Sequence, residues 1–193
     1  MNISQDHKNI FIGIPKTGSS TISRMLTCDY NWSRASKHGR IKNKHAPTSF
    51  KFCFVRNPWN RAVGWYWYRQ NRSALGGRGR TKGREFKEWL MNPTTGAYAD
   101  FGYGMYYNQC HWLRDINGNF CMDYIGRFEN LHGDFSNACV KMGLEPPGEM
   151  RHTNASHPQL RKHYTEYYDD ESIEFVRYKS KEDVATFGYE FEK

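Results

Sequence analysis

Two short apolar runs, each ended by a proline, dominate the hydrophobic pattern of the first third of the chain. Residues 9–15 read NIFIGIP and residues 51–58 read KFCFVRNP. Continuous apolar runs of this length, bounded by Gly or Pro, are typical of strands buried in a parallel sheet. A helical pattern follows each run, over residues 17–26 and residues 59–72. This order predicts an α/β fold, a P-loop-like domain with a central, mainly parallel sheet flanked by helices.

The remainder of the chain predicts one more strand and several helices. Residues 121–128, CMDYIGRF, have the pattern of a strand, and the following ENLHGDFSNACVKMG predicts a helix that stops at Gly143. EFKEWL predicts a short helix, and the terminal DDESIEFVRYKSKEDVATFGYEF predicts one or two more. Because no internal repeat or composition break marks a boundary, we expect residues 1–193 to form a single domain.

Three segments between these elements have the composition of loops. Residues 73–84, SALGGRGRTKGR, are rich in Gly and Arg and predict a mobile basic surface loop. Residues 96–112 contain too many Gly and Tyr for a regular element and predict a structured loop with aromatic packing. Residues 145–162, beginning EPPGEMRHTNASHP, also predict a loop.

Composition adds a preference for anionic partners. The chain has 28 basic and 20 acidic residues, a formal net charge of +8. That excess favours a nucleotide, a sulfated or phosphorylated compound, an acidic glycan or nucleic acid, although a solvated positive face explains it equally well. The five cysteines lie at scattered spacings without a CxxC pair, so we expect structural thiols in a reduced compartment and no zinc site.

The loop after the first strand, PKTGSST, has the residues of an anion-binding site. A strand that turns abruptly into a helix directs free backbone N–H groups and the positive end of the helix dipole toward one point. Gly18 lets the backbone approach an oxyanion, Lys16 adds a positive charge, and Ser19, Ser20 and Thr21 add hydroxyl donors. A turn and helix start without any ligand fits the same residues.

The nearest alternative to this loop is the Walker A loop of triphosphatases, GxxxxGK[ST]. Gly13 and Gly18 have the required spacing, but Ser19 stands where the lysine belongs. Without that lysine the β- and γ-phosphates lose their main cation. A nucleotide kinase or NTPase with an aberrant loop remains an alternative, which magnesium-dependent ATP turnover would support.

A second motif, FCFVRNPWNRAVGWY, follows the second strand. It places Arg56 at the carboxyl end of the strand and Arg61 one turn into the next helix. Open α/β sheets bind ligands at the carboxyl ends of their strands, and a planar guanidinium suits phosphate. An arginine at such a position is as often a structural ion-pair residue. Combined with the PKTGSS loop on a neighbouring strand, Arg56 predicts a site with two separate anion pockets.

These two motifs together resemble a known enzyme family. PKTGSST resembles the 5′-phosphosulfate loop, and FVRNPWNRAVGWY the 3′-phosphate motif, of the sulfotransferases that use PAPS, 3′-phosphoadenosine 5′-phosphosulfate. YIGRFENLHGDF and the terminal segment resemble the carbohydrate branch, which includes heparan 2-O-sulfotransferase-like and related bacterial proteins. The resemblance extends over nearly the whole chain. It implies in-line transfer of a sulfuryl group from PAPS to an acceptor hydroxyl, which we expect on a carbohydrate. The nucleotide product would be PAP, 3′-phosphoadenosine 5′-phosphate, and no metal would be required.

The resemblance also implies roles for single residues. Lys16 would contact the bridging oxygen and stabilise the negative charge that develops on the leaving phosphate. Arg56 would bind the 3′-phosphate. Family members usually carry a serine eight residues after that arginine, and here Gly64 removes the hydroxyl, which is expected to weaken binding by about 1 kcal/mol. The 5′ group would be held by the backbone of Thr17, Gly18, Ser19 and Ser20 and by the Thr21 hydroxyl.

The acceptor hydroxyl requires a general base. Relatives of the 2-O-sulfotransferase type carry a histidine shortly before the second strand, and His45 in NKHAPTSFKF stands in the matching place. The ordinary pKa of histidine suits proton removal near neutrality. His111 in NQCHW is the first alternative, followed by His38 and by a carboxylate such as Glu88.

The resemblance assigns the remaining polar residues to the two ligands. Residues 145–162 resemble the loop that covers the nucleotide, where Asn154, Ser156, Arg161 and Lys162 offer contacts. In the basic loop, Arg78 and Arg80 are the expected contacts to an acidic acceptor, together with His111. Either loop fits a plain solvated surface as well. Arg127 and Glu129 are expected to organise the fold around the nucleotide without touching it.

A glycan- or nucleic-acid-binding module without chemistry is a third possibility. In such a module the aromatic residues of WYWYR would form a stacking platform, although their helical spacing favours a core. The start of the chain is polar and no apolar run is long enough to cross a bilayer. We therefore expect a soluble protein, either cytoplasmic in a bacterium or virus or an excised catalytic domain.

Overall fold

The computed structural model describes residues 1–36, 38–39, 41, 48–74, 84–92, 108–150 and 162–192. The chain divides into two compact units. The first comprises Met1–Arg56 and Gln109–Asn154, and the second comprises Asn57–Asn108 and Ala155–Lys193. The regular elements of the described residues are β1 (Asn2–Ile3), β2 (Asn9–Ile12), α1 (Ser19–Cys28), β3 (Ser33–Arg34), β4 (Phe50–Val55), α2 (Pro58–Ala74), α3 (Phe86–Met91), β5 (Tyr124–Arg127), α4 (Leu131–Lys141), α5 (Asp170–Lys179) and α6 (Lys181–Phe187).

The first unit contains a mixed five-stranded sheet with the strand order β3-β1-β2-β4-β5. The longer strands β2, β4 and β5 are parallel to one another. The two-residue strands β1 and β3 complete the sheet in antiparallel pairing. The α/β class with a mainly parallel sheet, predicted from the apolar runs, is therefore confirmed. Strands β1 and β3 were not predicted, because two residues are too few to leave a pattern.

The parallel strands β2 and β4 are buried on both faces. On one face, Phe11 of β2 packs with Phe52 and Phe54 of β4 in the main hydrophobic cluster of this unit. On the other face, Ile10, Ile12, Cys53 and Val55 are also almost completely buried. Side chains alternate between the faces of a strand, so burial on both sides requires a continuous apolar run. That requirement explains the runs seen in the sequence.

Helices α1 and α4 cover the phenylalanine face of the sheet. Ile22, Met25 and Leu26 of α1 follow the i, i+3, i+4 spacing of one helical face and are buried in the same cluster. Helix α4 contributes Phe135, Ala138 and Cys139 at the same spacing. Both helices pack against the sheet through a single stripe of side chains. The turn that enters α1 follows β2 directly, so it lies at the end of the sheet where the carboxyl ends of the parallel strands meet.

The regular elements described in the second unit are helices, and the first of them, α2, begins with a defined start signal. The Asn57 side chain accepts hydrogen bonds from the backbone N–H groups of Trp59, at 3.1 Å, and Asn60, at 3.3 Å. Pro58 occupies the first helical position, where the N–H that proline lacks is not needed. The sequence Asn-Pro therefore ends β4 and starts α2, as the second apolar run predicted.

Aromatic side chains fill the interior of this helical unit. Tyr66 of α2 lies 5.4 Å from Phe86 and 5.5 Å from Trp89 of α3, measured between ring centroids. Trp89 is fully buried, and Trp59 is buried with its indole N–H donating to the Ile173 carbonyl at 3.0 Å. Within WYWYR itself, Trp65 is buried, whereas Tyr66, Trp67 and Tyr68 are half-buried, so the stacking platform stays an alternative prediction.

Candidate functional site

The loop that connects β2 to α1 is built around two left-handed residues. Lys16 has φ of 68° and Gly18 has φ of 75°. Between them, Thr17 is fully buried and its hydroxyl donates to the Ile14 carbonyl at 3.0 Å. This bond closes the loop on itself, so the chain reverses within a few residues. Left-handed residues in such turns orient successive N–H groups toward one concavity, which is a common form of anion site.

Helix α1 begins with an open N-terminus. Gly18 occupies the cap position and has no side chain that could accept a bond, and the first turn contains no acidic residue. The Gly18 carbonyl accepts from the N–H groups of Thr21, at 3.0 Å, and Ile22, at 3.2 Å. The N–H groups of Ser19 and Ser20 precede this first helical bond and have no partner inside the helix. An anion at this point would receive those donors and the positive end of the dipole.

Gly18 is also fixed by tight packing against the segment after β5. A Cβ atom placed on Gly18 would lie 2.6 Å from Cδ2 of Leu131 and 3.2 Å from Cδ2 of Phe128. Contacts this short force neighbouring groups to move. The glycine in PKTGSS is therefore required twice, by its positive φ and by the approach of the loop to Phe128 and Leu131.

Substituting Gly18 by Ala is expected to lower the free energy of unfolding by about 2–3 kcal/mol, because strain and steric overlap add. Thermal or urea denaturation measures the loss. Gly143→Ala is the matched control, since Gly143 has φ of 70° but a Cβ there would meet no atom within 4 Å. We expect the control to lose only about 1 kcal/mol. Equal losses in the two variants would show that packing at Phe128 and Leu131 contributes nothing.

Arg56 follows β4 directly and lies beside the loop that leaves β2. It is only 7% exposed. Its guanidinium carbon lies 4.0 Å from the ring centroid of Phe128, and its Nη1 donates to the Lys16 carbonyl at 3.2 Å. The two strands are parallel neighbours, so their carboxyl ends meet at one edge. The structure thus brings together the two motifs that the sequence placed on separate strands.

The side chain of Gln109 holds the backbone of Arg56 from the other side. Its Oε1 accepts from the Arg56 N–H and its Nε2 donates to the Arg56 carbonyl, both at 2.8 Å. Gln109 is fully buried. It starts a 3-10 helix, Gln109–Leu113, within a segment that was predicted to be a loop. This role could not be predicted, because a side chain paired with a distant backbone leaves no periodic pattern.

The GRFEN segment after β5 supplies the apolar floor of the site. Phe128, which contacts Arg56 and Gly18, begins a 3-10 helix, Phe128–Asn130, that leads into α4. The Asp134 carboxylate fixes this turn by accepting from the Arg127 N–H at 2.6 Å and from Asn130 Nδ2 at 3.0 Å. The side chains of Arg127 and Glu129 are exposed. Their predicted role in organising the fold around a nucleotide stays a prediction.

Among the described histidines, His38 and His111 lie close to this edge of the sheet. His38 Nδ1 is 2.6 Å from the Gly13 carbonyl, where β2 gives way to the loop. The ring centroid of Trp112 is 6.2 Å from that of His38 and 6.0 Å from that of His111. Both imidazoles thus flank one indole. His45, the preferred base, falls outside the described residues, and its role stays a prediction.

The other predicted contacts divide by where they fall in the chain. Gly64 is a buried residue of α2, Glu88 of α3 is exposed and pairs with Arg84 at 3.5 Å, and Lys162 is exposed. Most of the basic loop, residues 73–84, and most of the covering loop, residues 145–162, lie outside the described residues. The predicted ligand contacts that fall there are Arg78, Arg80, Asn154, Ser156 and Arg161.

The cysteines of the first unit are free thiols, and no cysteine is paired. Cys53, Cys110 and Cys139 are buried, and burial raises the pKa of the Cys53 thiol far above its usual range. A thiol held protonated in this way is inert. Within the ranges that the structure describes, no three His, Cys, Asp or Glu side chains are placed to hold a metal ion.

Comparison with known proteins agrees with this geometry at the level of the family. The model of the "Sulfotransferase family" matches residues 1–190, which is nearly the entire chain. No curated protein and no solved structure matches the chain. In the part of the chain that the structure describes, no helix combines the length and apolar character needed to span a bilayer. The match over 190 residues includes both strand-end motifs and the GRFEN segment, and the chain belongs to the sulfotransferase family.

Proposed function

We propose that the chain transfers the sulfuryl group of PAPS to the hydroxyl of a carbohydrate. One observation supports a donor with two separated anions: the guanidinium of Arg56, after β4, contacts the carbonyl of Lys16, in the loop after β2. Two cationic residues therefore lie at the ends of neighbouring strands, Lys16 in the turn that enters α1 and Arg56 directly after β4. A nucleotide with phosphate groups at both the 5′ and 3′ positions matches this arrangement better than one with a single phosphate chain.

The residues present fit the two ends of such a donor. The open N-terminus of α1, without a side-chain cap or an acid, suits the 5′ group. Donors there are the N–H groups of the loop and the first turn and the hydroxyl of Thr21, which lies on the buried side of the helix. Arg56 suits the 3′-phosphate, because a guanidinium packed on Phe128 is already oriented. Gly64 supplies no hydroxyl to assist it.

The loop residues perform the electrostatic part of the reaction. PAPS supplies a sulfuryl group attached to a phosphate that departs with negative charge. The N–H groups of residues 17–20 belong to a backbone that is formed before the reaction, so they stabilise that charge without reorganising, and the ammonium of Lys16 adds a full positive charge. No metal is needed for this role in the proposal. Asn154, Ser156, Arg161 and Lys162 complete the nucleotide contacts in the same proposal.

The acceptor hydroxyl loses its proton to a histidine. His45 is the first candidate because of its position before β4, and the contact of His38 with the Gly13 carbonyl makes His38 the second. If His38 Nδ1 donates to the Gly13 carbonyl, the lone pair lies on Nε2, which is the tautomer a base requires. His111 and Glu88 are further alternatives. Arg78 and Arg80 are proposed to contact an acidic carbohydrate acceptor.

Single substitutions separate the two histidines. We expect His45→Ala to lower kcat on the order of 10²–10³-fold and His38→Ala to lower it by less than tenfold, through a loosened loop alone. The readout is kcat against pH, with heparosan or chondroitin as acceptor and PAP release as the signal. The base is the histidine whose substitution removes the acid limb of the profile, which is the fall of kcat at low pH. If that limb disappears in His38→Ala and persists in His45→Ala, the assignment reverses.

Calorimetry with nucleotides tests the proposed donor directly. We expect PAP to bind at least tenfold more tightly than AMP, because PAP adds a 3′-phosphate that pairs with Arg56. ATP, with magnesium present, should show no gain over AMP, since the loop has Ser19 in place of the Walker lysine. Equal affinities for PAP and AMP would contradict the two-pocket proposal. Tight ATP binding with hydrolysis would favour the NTPase alternative.

A further inference from the structure

Arg56 is held by three kinds of contact within the protein. Gln109 pairs with both of its backbone groups, the Phe128 ring lies 4.0 Å beneath its guanidinium, and Nη1 donates to the Lys16 carbonyl. A residue that served only to attract a phosphate would not need the third contact, the hydrogen bond to the Lys16 carbonyl. The bond to Lys16 links Arg56 to the loop that receives the other end of the nucleotide.

The backbone of Lys16 has an unfavourable conformation in that loop. Lys16 has φ of 68°, a conformation that a side chain with a Cβ adopts at a cost of about 1–2 kcal/mol. Such a residue keeps this conformation only when its surroundings hold it. The residue after Lys16 is held by the hydrogen bond from the Thr17 hydroxyl to the Ile14 carbonyl. The described hydrogen bond to the backbone of Lys16 itself comes from Arg56.

Peptide geometry transmits the effect of this bond to the anion site. The Lys16 carbonyl and the Thr17 N–H belong to one planar trans peptide, so they point in opposite directions. Fixing the carbonyl therefore fixes the direction of the Thr17 N–H, which is among the donors for the 5′ group. The Cα of Lys16 lies in the same plane, so fixing the plane also fixes the point from which the lysine side chain starts.

We propose that Arg56 is a positioning residue for the 5′ loop in addition to being a ligand of the 3′-phosphate. The proposal rests on the proposed function, and it makes the two anion pockets one coupled unit. Through the Lys16 carbonyl, Arg56 holds the Thr17 N–H and the Lys16 side chain in the arrangement that receives the 5′ group. Arg56 therefore affects ligands that carry nothing for its guanidinium to bind.

AMP tests this coupling because it has a 5′-phosphate and no 3′-phosphate. Calorimetry compares AMP and PAP binding in the wild type, Arg56→Lys and Arg56→Ala. We expect the AMP dissociation constant to rise about tenfold in both variants, the effect of one lost hydrogen bond to a charged group. Arg56→Lys keeps a positive charge near the 3′-phosphate, so it retains part of the preference for PAP that Arg56→Ala loses.

Arg114→Ala is the matched control. Arg114 also donates from Nη1 to a carbonyl, that of Gly118 at 3.1 Å, but it does so in an exposed turn of the same unit. We expect its AMP and PAP affinities to equal those of the wild type. Thermal unfolding shows whether each variant is folded. If Arg56→Ala does not fold, the comparison is made with Arg56→Lys alone.

A second measurement reads the loop without any nucleotide. In ¹⁵N-labelled protein, the amide cross-peaks of Thr17 and Gly18 should shift or broaden in Arg56→Lys and stay in place in Arg114→Ala. Unchanged AMP affinity and unchanged loop amides, with PAP weakened, would overturn the positioning role and leave the proposed function intact. Equal AMP and PAP affinities in the wild type would instead contradict the proposed function, and the amide shifts would still decide the positioning role.

Discussion

Lys16→Ala is expected to lower the rate of sulfuryl transfer on the order of 10²–10³-fold, the usual loss when one fixed donor to a developing negative charge is removed. The Lys16 ammonium is the full positive charge of the loop that follows β2, beside the open N-terminus of α1. PAP release from PAPS is the readout, first with heparosan or chondroitin as acceptor and then with water alone. The loss should appear in kcat, because the backbone donors for the 5′ group remain.

The fold is expected to survive this substitution. Alanine tolerates a φ of 68° no worse than lysine does, and the Arg56 bond is made to the backbone of residue 16. PAP affinity should therefore stay within about tenfold of the wild type. Lys8→Ala is a suitable control, because Lys8 is an exposed lysine of the same unit whose only described ion pair is with Asp6. Near-normal transfer by Lys16→Ala would remove the role proposed for this lysine.

Gln109→Met is expected to lower the free energy of unfolding by about 2–5 kcal/mol. Methionine has nearly the volume of glutamine, but it leaves the N–H and carbonyl of Arg56 without their described partners in a buried place. Each buried backbone group that loses its hydrogen bond costs about 1–3 kcal/mol. Urea denaturation measures the loss, and calorimetry with PAP should show weaker binding because Arg56 is no longer held.

Gln70→Met serves as the control for this substitution. The Gln70 side chain donates from Nε2 to the Arg84 carbonyl at 3.3 Å and also pairs with the side chain of Tyr66, and it is partly exposed. Its replacement should cost less than about 1 kcal/mol. If Gln109→Met were as stable as the control, the two 2.8 Å hydrogen bonds between the Gln109 side chain and the Arg56 backbone would not contribute to stability. That result would contradict the view that Gln109 holds Arg56 in place.

The elements that could be predicted are those that bury a regular face. The first apolar run, residues 9–15, contains β2, although the strand ends at Ile12 because the chain leaves the sheet to form the loop. The second run, residues 51–58, contains all of β4 except its first residue, Phe50, and it contains the Asn-Pro start of α2. The terminal segment forms α5 and α6, in agreement with one or two predicted helices.

The elements and contacts that escaped prediction are those without a period. Strands β1 and β3 have two residues each, and the 3-10 helix Gln109–Leu113 falls in a segment whose composition predicted a loop. The expected single domain also stays a prediction, since the described residues form two compact units. The sequence named Arg56 for its place at a strand end, but it gave no reason to pair it with Gln109.

The sequence by itself determined the α/β class, the positions of the two strand-end motifs and membership of the sulfotransferase family. These features are local, because apolar runs, a strand-to-helix turn and an Asn-Pro stop each follow from neighbouring residues. Only the tertiary structure decided that Arg56 reaches the Lys16 carbonyl, that Gln109 holds Arg56, and that Gly18 packs on Leu131. Such contacts join residues 40, 53 and more positions apart, so no local pattern encodes them.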